Sequence, residues 1–436
     1  MTPLSTFMIL ATLERSRIAP LRDLLATMNS QPGMANPENV LVPFARLENL
    51  HFARLVVLDD QTSGDINMLY GLHRPEPPVY LAFLGDFDGT YEEFIEQLVR
   101  HAEPGLRKIF SFCEGFSSNA DLRGWMIAHE QRPAASYCNW VGRTVRQTHE
   151  EECLRQALVG YLERSPGLRD QPAPAVHASL RRFVEQEETD GKLKLTTPAR
   201  SPLGWRLRHI LDWITLIVVM VGGVVTLPVT IIPLLFFAWR LRTLEKSDKV
   251  YTPRPAPEFD ARLAALEDRD VTNQFSVIGA LKPGPLRTAI VALALWVTNL
   301  AAHTLYTKGR LARVHTIHSA RWVCLDNRTR LFFASNYDGS LISYNEDFIT
   351  KISFGLNLNF SNGVGYPRTR WLLLQGAKDE QPFKYILRRH QLPTEVWYNA
   401  HPGLTAVDLH RNSRIRQGLQ KSALSETEAR EWITLF

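Results

Sequence analysis

RLENLHFARLVVLDD, Arg46 to Asp60, meets RVHTIHSARWVCLDN, Arg313 to Asn327, without a gap. Arg46, His51, Ala53, Arg54, Val56, Leu58 and Asp59 each face an identical residue in the second stretch. The match extends in both directions. Upstream, FMILATLERSRIAPLRDLLATMN from Phe7 answers FSVIGALKPGPLRTAIVALALWVTN from Phe275. Each gives a β-like apolar run, a short break, then Pro-Leu-Arg (20–22 and 285–287) opening a helix, where proline costs no hydrogen bond. Downstream, LAFLGDFDGTYEEFI from Leu81 answers LFFASNYDGSLISYNEDFI from Leu331, and Tyr137, Gly142 and Thr144 answer Tyr398, Gly403 and Thr405. Order and spacing agree apart from loop insertions, so the chain reads as an internal duplication.

Each copy reads β-α-β-β-α-β. In the first, strands are expected near 6–13, 51–58, 79–86 and 122–129, with helices near 19–29 and 90–111. In the second, strands are expected near 274–281, 315–325, 330–336 and 370–376, with helices near 285–306 and 343–360. Thr90 with Glu93 and Ser343 with Glu346 read as capping boxes. This is the order of the split βαβ, ferredoxin-like unit. The run Leu55, Val56, Val57, Leu58 is apolar on both faces, so the sheet needs a cover on each side. A second sheet supplies it, and the expected fold is α+β: two ferredoxin-like βαββαβ repeats closing an intramolecular pseudo-dimeric α+β barrel. Arg54 and Arg321 are expected as buried ion pairs with Asp59 or Asp326.

The element order resembles the dimeric α+β barrel superfamily, with its dye-decolourising peroxidases, chlorite dismutase-like proteins and small cofactor-free monooxygenases. The resemblance covers about 1–150 and 271–420. The Asp-Gly pair of NYDGS (336–340) is similar to the end of the peroxidases' GxxDG motif, with Ser335 or Asn336 where the leading glycine is expected. The resemblance implies an oxidoreductase and allows haem as its cofactor, with His318 and His390 as candidates for the proximal ligand.

Between the copies lies ILDWITLIVVMVGGVVTLPVTIIPLLFFAW, Ile210 to Trp239, with one charge, Asp212. Thirty residues of straight helix span roughly 45 Å, more than the ~30 Å hydrocarbon core of a bilayer. If both copies build one barrel, both must lie on one side of the membrane. Basic residues flank the segment on both sides: Arg206, Arg208 and His209 before it, Arg240, Arg242, Lys246 and Lys249 after. The expectation is a membrane-inserted hairpin bent around 222–228, holding the protein on the cytoplasmic face. The organisation is then 1–158, first repeat; 159–209, a Pro-rich linker with a helix at 175–189; 210–239, hairpin; 240–270, linker; 271–436, second repeat with a C-terminal extension. Ala289 to Val297 fills the first-helix slot of the second copy and reads as a core or membrane-facing helix.

The net charge of +5 over 436 residues gives no nucleic-acid signature, and the four cysteines show no CxxC spacing. Nucleic acid is not an expected partner and no metal site is expected. GxSxG, HExxH, Walker A and GxGxxG are absent from the sequence. Period-two alternation places His318, Ala320, Trp322 and Cys324 on one strand face and His315, Ile317, Ser319 and Arg321 on the other. The catalytic candidates are His318, Arg321, His315, Asn336 and Asp338. The cofactor-binding candidates are His318, His390, Arg368 and Arg370, the arginines in the loop SNGVGYPRTR (361–370). Two functional expectations follow. One is a membrane-associated oxidoreductase acting on a lipid-like or apolar substrate; the other is a non-catalytic, membrane-tethered lipid-binding or scaffold protein.

Overall fold

The computed structural model describes residues 4–139, 142–168, 170–197, 201–307 and 309–436. Its main strands are β1 (Leu4–Leu13), β2 (Leu50–Leu58), β3 (Val79–Asp88), β4 (Ala135–Cys138), β5 (Thr272–Ala280), β6 (Ile317–Leu325), β7 (Arg330–Asp338) and β8 (Thr394–Asn399). Its main helices are α1 (Ile18–Ala26), α2 (Tyr91–Phe110), α3 (Val145–Arg164), α4 (Ala173–Thr189), α5 (Leu203–Ser247), α6 (Pro285–Thr304), α7 (Leu341–Phe360), α8 (Glu380–His390), α9 (Ala406–Gln420) and α10 (Glu426–Ile433). The fold is mixed α+β. A six-stranded sheet runs β1-β3-β2-β8 and ends in the short strands Met34–Ala35 and Asn29–Gln31; a four-stranded sheet runs β4-β6-β7-β5.

The two sheets are paired in the same way. Phe7 sits opposite Gly85 as Phe275 sits opposite Ser335, and Arg54 opposite Leu84 as Arg321 opposite Ala334. Each second strand carries an irregularity at the same place, Leu50/Phe52 in β2 and Ile317/Ser319 in β6. Such a bulge turns one residue out of the alternation. Ile317 therefore joins the helix-side core with Ala320 and Trp322. His318 instead lies on the inter-sheet side, its ring 5.4 Å from that of Phe52. That corrects the simple alternation, which separated His318 from Ser319 and Arg321.

The fourth strands differ from expectation. Residues 122–128 are a helix, because Leu122 and Met126 are buried one turn apart. The expected strand near 370–376 is a small hairpin, Thr369–Arg370 with Leu374–Gln375. The strands that complete the sheets lie further on and are exchanged. β4 pairs with β6, Tyr137 opposite Ala320; β8 pairs with β2, Tyr398 opposite Ala53. Before leaving, each segment bonds to the edge of the sheet of its own half: Gln131 N to Met8 O, 2.8 Å, and Leu392 N to Ser276 O, 2.8 Å. Pro133 and Pro393 follow, and a residue without an N–H ends the ladder there.

Helices cover the outer faces. α1 and α2 lie on the first sheet, α6 and α7 on the second, and between the sheets Met8, Val56, Leu84, Ile278, Val323 and Phe332 form one cluster. Helices α3, α4, α9 and α10 build a separate helical core. α2 opens with the expected capping box of Thr90 and Glu93. α7 starts two residues earlier than expected, with Ser340 as its cap in place of Ser343.

The hydrophobic insert is a single continuous helix, α5, and not a hairpin bent at 222–228. Gly222-Gly223 is carried through by Thr226 Oγ1 donating to Gly222 O (2.7 Å), and Thr230 Oγ1 donates to Thr226 O (3.0 Å). Pro228 and Pro233 each remove one donor without reversing the chain. Apolar side chains from Ile217 to Phe236 are exposed around the whole helix.

In the first half the loop bearing Leu41, Val42 and Phe44 is buried under α2, where a Cβ on Gly105 would sit 1.9 Å from Leu41 O. Gly105→Ala is therefore expected to cost about 1–3 kcal/mol by urea denaturation, the usual range for overpacking. Gly64→Ala, which meets nothing within 4 Å, is expected to stay within about 0.5 kcal/mol of wild type.

Candidate functional site

The polar groups between the sheets are arranged by pairs. Arg54 donates to Phe275 O (2.8 Å), Ser276 Oγ (2.9 Å), Ser335 O (2.8 Å) and Asn336 Oδ1. Arg321 returns the gesture, donating to Phe7 O (2.7 Å), Gly85 O (3.0 Å) and Asp86 Oδ1 (2.5 Å). The residues met are equivalents in the aligned halves: Phe275 and Phe7, Ser335 and Gly85, Asn336 and Asp86. Asn336 Nδ2 donates in turn to Asp86 Oδ2 at 3.0 Å, so one carboxylate answers both guanidiniums. Burial and the nearby Arg321 push Arg54 down to about 9, and burial lowers Arg321 also. The expected partners Asp59 and Asp326 lie elsewhere, Asp59 with Arg15 at the surface and Asp326 with Arg330 and Tyr80.

The two Asp-Gly aspartates also act alike. Asp88 takes His51 Nε2 on Oδ1 (3.0 Å) and the Val145 N–H on Oδ2 (2.8 Å). Asp338 takes His318 Nε2 (2.6 Å) and Thr272 Oγ1 (2.9 Å) on Oδ1, and the Ala406 N–H (2.7 Å) on Oδ2. Val145 and Ala406 are the first residues of α3 and α9, where an anion is favoured by orphan N–H groups and the helix dipole. Each His–Asp pair thus latches the helix that follows an exchanged strand. His401 joins the first pair, its Nε2 2.9 Å from His51 Nδ1, and it sits beside the ring of His149.

The sequence candidates therefore do not converge on an accessible site. His318, Arg321, Asn336 and Asp338 are buried and engaged as described. His315 is exposed on the loop before β6. Arg368 donates to Asp248 O at 3.0 Å, Arg370 is exposed in the small hairpin, and neither is bonded to His318 or His390. His390 ends α8, with Nδ1 2.8 Å from Ile386 O and its ring against Gly279 of β5. Haem does not fit these residues: His318 Nε2 is committed to Asp338, and the cavities bordering His390 are about 10 and 60 Å³. A macrocycle needs several hundred cubic ångströms, as ligand pockets of that class do.

Two cavities on the α5 and α6 side are larger. One, about 290 Å³, lies between the N-terminal end of α5 (Trp205, Arg208, His209, Asp212), His303 of α6 and the sheet, with Asp86 and Tyr137 in its wall. The other, about 240 Å³, lies between α6, α7 and the outer face of the second sheet and is lined almost wholly by apolar side chains.

Sequence reasoning missed what fastens the other end of α5. Glu245, fully buried, accepts from Trp371 N (2.9 Å), Leu372 N (2.8 Å), Thr369 Oγ1 (3.1 Å) and Arg242 (2.8 Å). Asp248 binds Lys282 at 2.8 Å and Arg287 at 2.5 Å, and burial pushes Lys282 down to about 8. In sequence, Glu245 and Asp248 look like part of a solvated charged flank. The matching Arg22 of the first half pairs instead with Glu395, at 2.7 Å.

Asp86→Asn, which copies Asn336, leaves two buried guanidiniums without a carboxylate. It is expected to lose about 3–5 kcal/mol in equilibrium denaturation, as when one partner of a buried pair is removed. Burial and the neighbouring His51, His149 and His318 hold His401 well below its ordinary 6.5; burial lowers His390 too. The unfolded chain then binds protons below about pH 6.5 that the folded one refuses. Stability is full above that pH and falls as pH drops toward the depressed folded values. Thermal melting is expected to show this decline, and His401→Gln to shrink it; a midpoint indifferent to acid in that window contradicts the assignment.

Compared with known proteins, the chain matches no family model, no curated protein sequence and no solved structure, so a functional reading rests on its own residues.

Proposed function

We propose that this chain is a non-catalytic, membrane-tethered lipid-binding protein built from two ferredoxin-like repeats that close one pseudo-dimeric barrel. The observation that carries the reading is α5. It is 45 residues long, apolar on every side and exposed, yet both of its ends are seated on the same body. Asp212 stands near His303, toward the C-terminal end of α6, while Asp248 binds Arg287, near its N-terminal end. The 36 residues separating Asp212 from Asp248 (248 − 212) have a contour of roughly 54 Å as helix, against roughly 24 Å between Arg287 and His303, so α5 bows away from the body between its seated ends, with Pro228 and Pro233 in the bowed part. Stripped of neighbours, such a surface is far larger than a soluble monomer exposes, and a bilayer is its natural cover. α6 adds exposed Leu293, Trp296 and Val297 beside it.

Support for the closed barrel comes from the exchanged strands. β4 and β8 each touch the edge of one sheet and complete the other, so the sheets are joined at both seams. That closure keeps both flanks of α5 on one side of the membrane, the cytoplasmic face in this reading, with the helix lodged in one leaflet and not crossing. The oxidoreductase reading is less well supported, because His318, Arg321 and Asp338 are spent on holding the sheets and helices together, while His315 and Arg370 are exposed and apart from them.

Wild-type protein is expected to float with anionic lipid vesicles in a density gradient. Val221→Asp, Val225→Asp and Ile232→Asp combined are expected to leave it at the bottom with an unchanged circular dichroism spectrum. Single cysteines at Arg206 and Arg240 are expected to react with an impermeant maleimide from the same side of sealed vesicles. Flotation that survives the triple substitution contradicts the anchor, and labelling from opposite sides contradicts the shared face.

A further inference from the structure

We infer that the apolar cavity between α6, α7 and the second sheet is a binding site for one uncharged medium-chain acyl group. Its direction of entry rests on the membrane-bound reading above; its chemistry does not. The walls are Phe275, Trp322, Phe333, Phe348, Ile352 and Phe383, with smaller contributions from α6. At about 30 Å³ per group, the volume of a water in the liquid and close to that of a methylene, its 240 Å³ takes roughly eight methylene-sized groups. It holds one chain segment and not a whole two-chain lipid.

Three features favour an acyl group. None of the lining residues is charged, so a carboxylate would be buried without a cation, at heavy cost. An ester or un-ionised acid avoids that cost. The indole N–H of Trp322, buried in this wall, has no acceptor among the described residues. A carbonyl oxygen would satisfy it. Finally, the cavity has a mouth on the apolar side: Val297 of α6 and Phe354 of α7 line it and are 41% and 50% exposed. Val297 and its neighbour Trp296 are both exposed apolar residues of α6, the helix that contacts α5, so in the membrane-bound reading a chain could pass from the bilayer into the cavity.

The two halves of the duplication differ at this layer. The first half fills its helix-to-sheet layer with Leu41, Val42, Phe44 and Leu47 from the loop after α1. In the second half Val314, the equivalent of Leu47, is buried likewise, but the shorter connection from α6 to β6 has no counterpart of Leu41, Val42 and Phe44. α7 also breaks its helical path at Ile352 (φ −141°, ψ 34°), one of the cavity walls.

The test uses the full chain in detergent micelles and a six-carbon fatty-acid methyl ester carrying a diazirine, crosslinked by light and mapped by peptide mass spectrometry. Labels are expected within 341–360 and 317–325. Ala301→Phe, which fills the cavity from α6, is expected to cut labelling there about tenfold, the change that 1.4 kcal/mol of binding produces. Should that variant fail to fold, Val297→Trp at the mouth serves the same purpose. Trp322→Phe is expected to weaken capture of the ester but not of a matching diazirine alkane. Labelling confined to α5, or unchanged by the filled cavity, overturns the site. Equal loss of ester and alkane in Trp322→Phe, or of neither, overturns the carbonyl contact. Vesicle flotation of the same variants separates the two proposals: flotation kept while cavity labelling is absent removes this site alone, and cavity labelling without flotation removes the membrane reading alone.

Discussion

Asp86 is the carboxylate on which the interior depends. Two guanidiniums from opposite sheets enter a space without bulk water, and Asp86 meets one directly and the other through Asn336. Each arginine otherwise spends its donors on backbone carbonyls of the facing sheet, at Phe7 and Gly85 or at Phe275 and Ser335. A hydrophobic sandwich can slide; these forks cannot, since each reaches two fixed carbonyl groups on neighbouring strands. Register between the sheets is therefore set by charge and hydrogen bonding, while Val56, Leu84, Val323 and Phe332 supply the apolar contact.

Closure of the two sheets constrains everything attached to them. The exchanged strands β4 and β8 lead straight into α3 and α9, whose first N–H groups are held by Asp88 and Asp338. Those helices then form their own core with α4 and α10. The same closure governs the insert, because a helix whose two ends are fixed to one body has no freedom to place those ends on opposite sides of a bilayer. In the proposed function, topology decides the outcome: an apolar helix fastened at both ends would turn one face of the molecule, and the cavity that opens there, toward lipid.

Much of this was legible in the residues. The ungapped match of 46–60 with 313–327 located β2 and β6, and the Pro-Leu-Arg pair located α1 and α6. Both His-Asp latches sit on residues shared by the two copies, which is where scaffold residues are expected. What could not be read was long-range. β4 and β8 are short, and their partners lie 180 or more residues away in sequence, so local pattern drew attention instead to 122–129 and 370–376. The bulges at Leu50/Phe52 and Ile317/Ser319 are set by pairing and move His318 to the opposite face from that given by alternation. Arg321 finds Asp86 and not Asp326 because only the packed sheets bring that carboxylate near. The hairpin expected in α5 followed soundly from the need to keep both ends together. It was misplaced because Gly and Pro in a long apolar helix need not reverse the chain when threonine hydroxyls and flanking turns carry it through.

Whether the two halves truly share one interior can be measured by splitting the chain. Residues 1–202 and 248–436, co-expressed without α5 and purified through a tag on one of them, are predicted to co-elute as an equimolar complex that unfolds in one transition. Each fragment made alone is predicted to be unfolded or aggregated, for lack of its exchanged strand and its answering arginine. Two fragments that fold separately and do not associate would contradict the closed fold, and with it the proposed placement of α5 at a membrane.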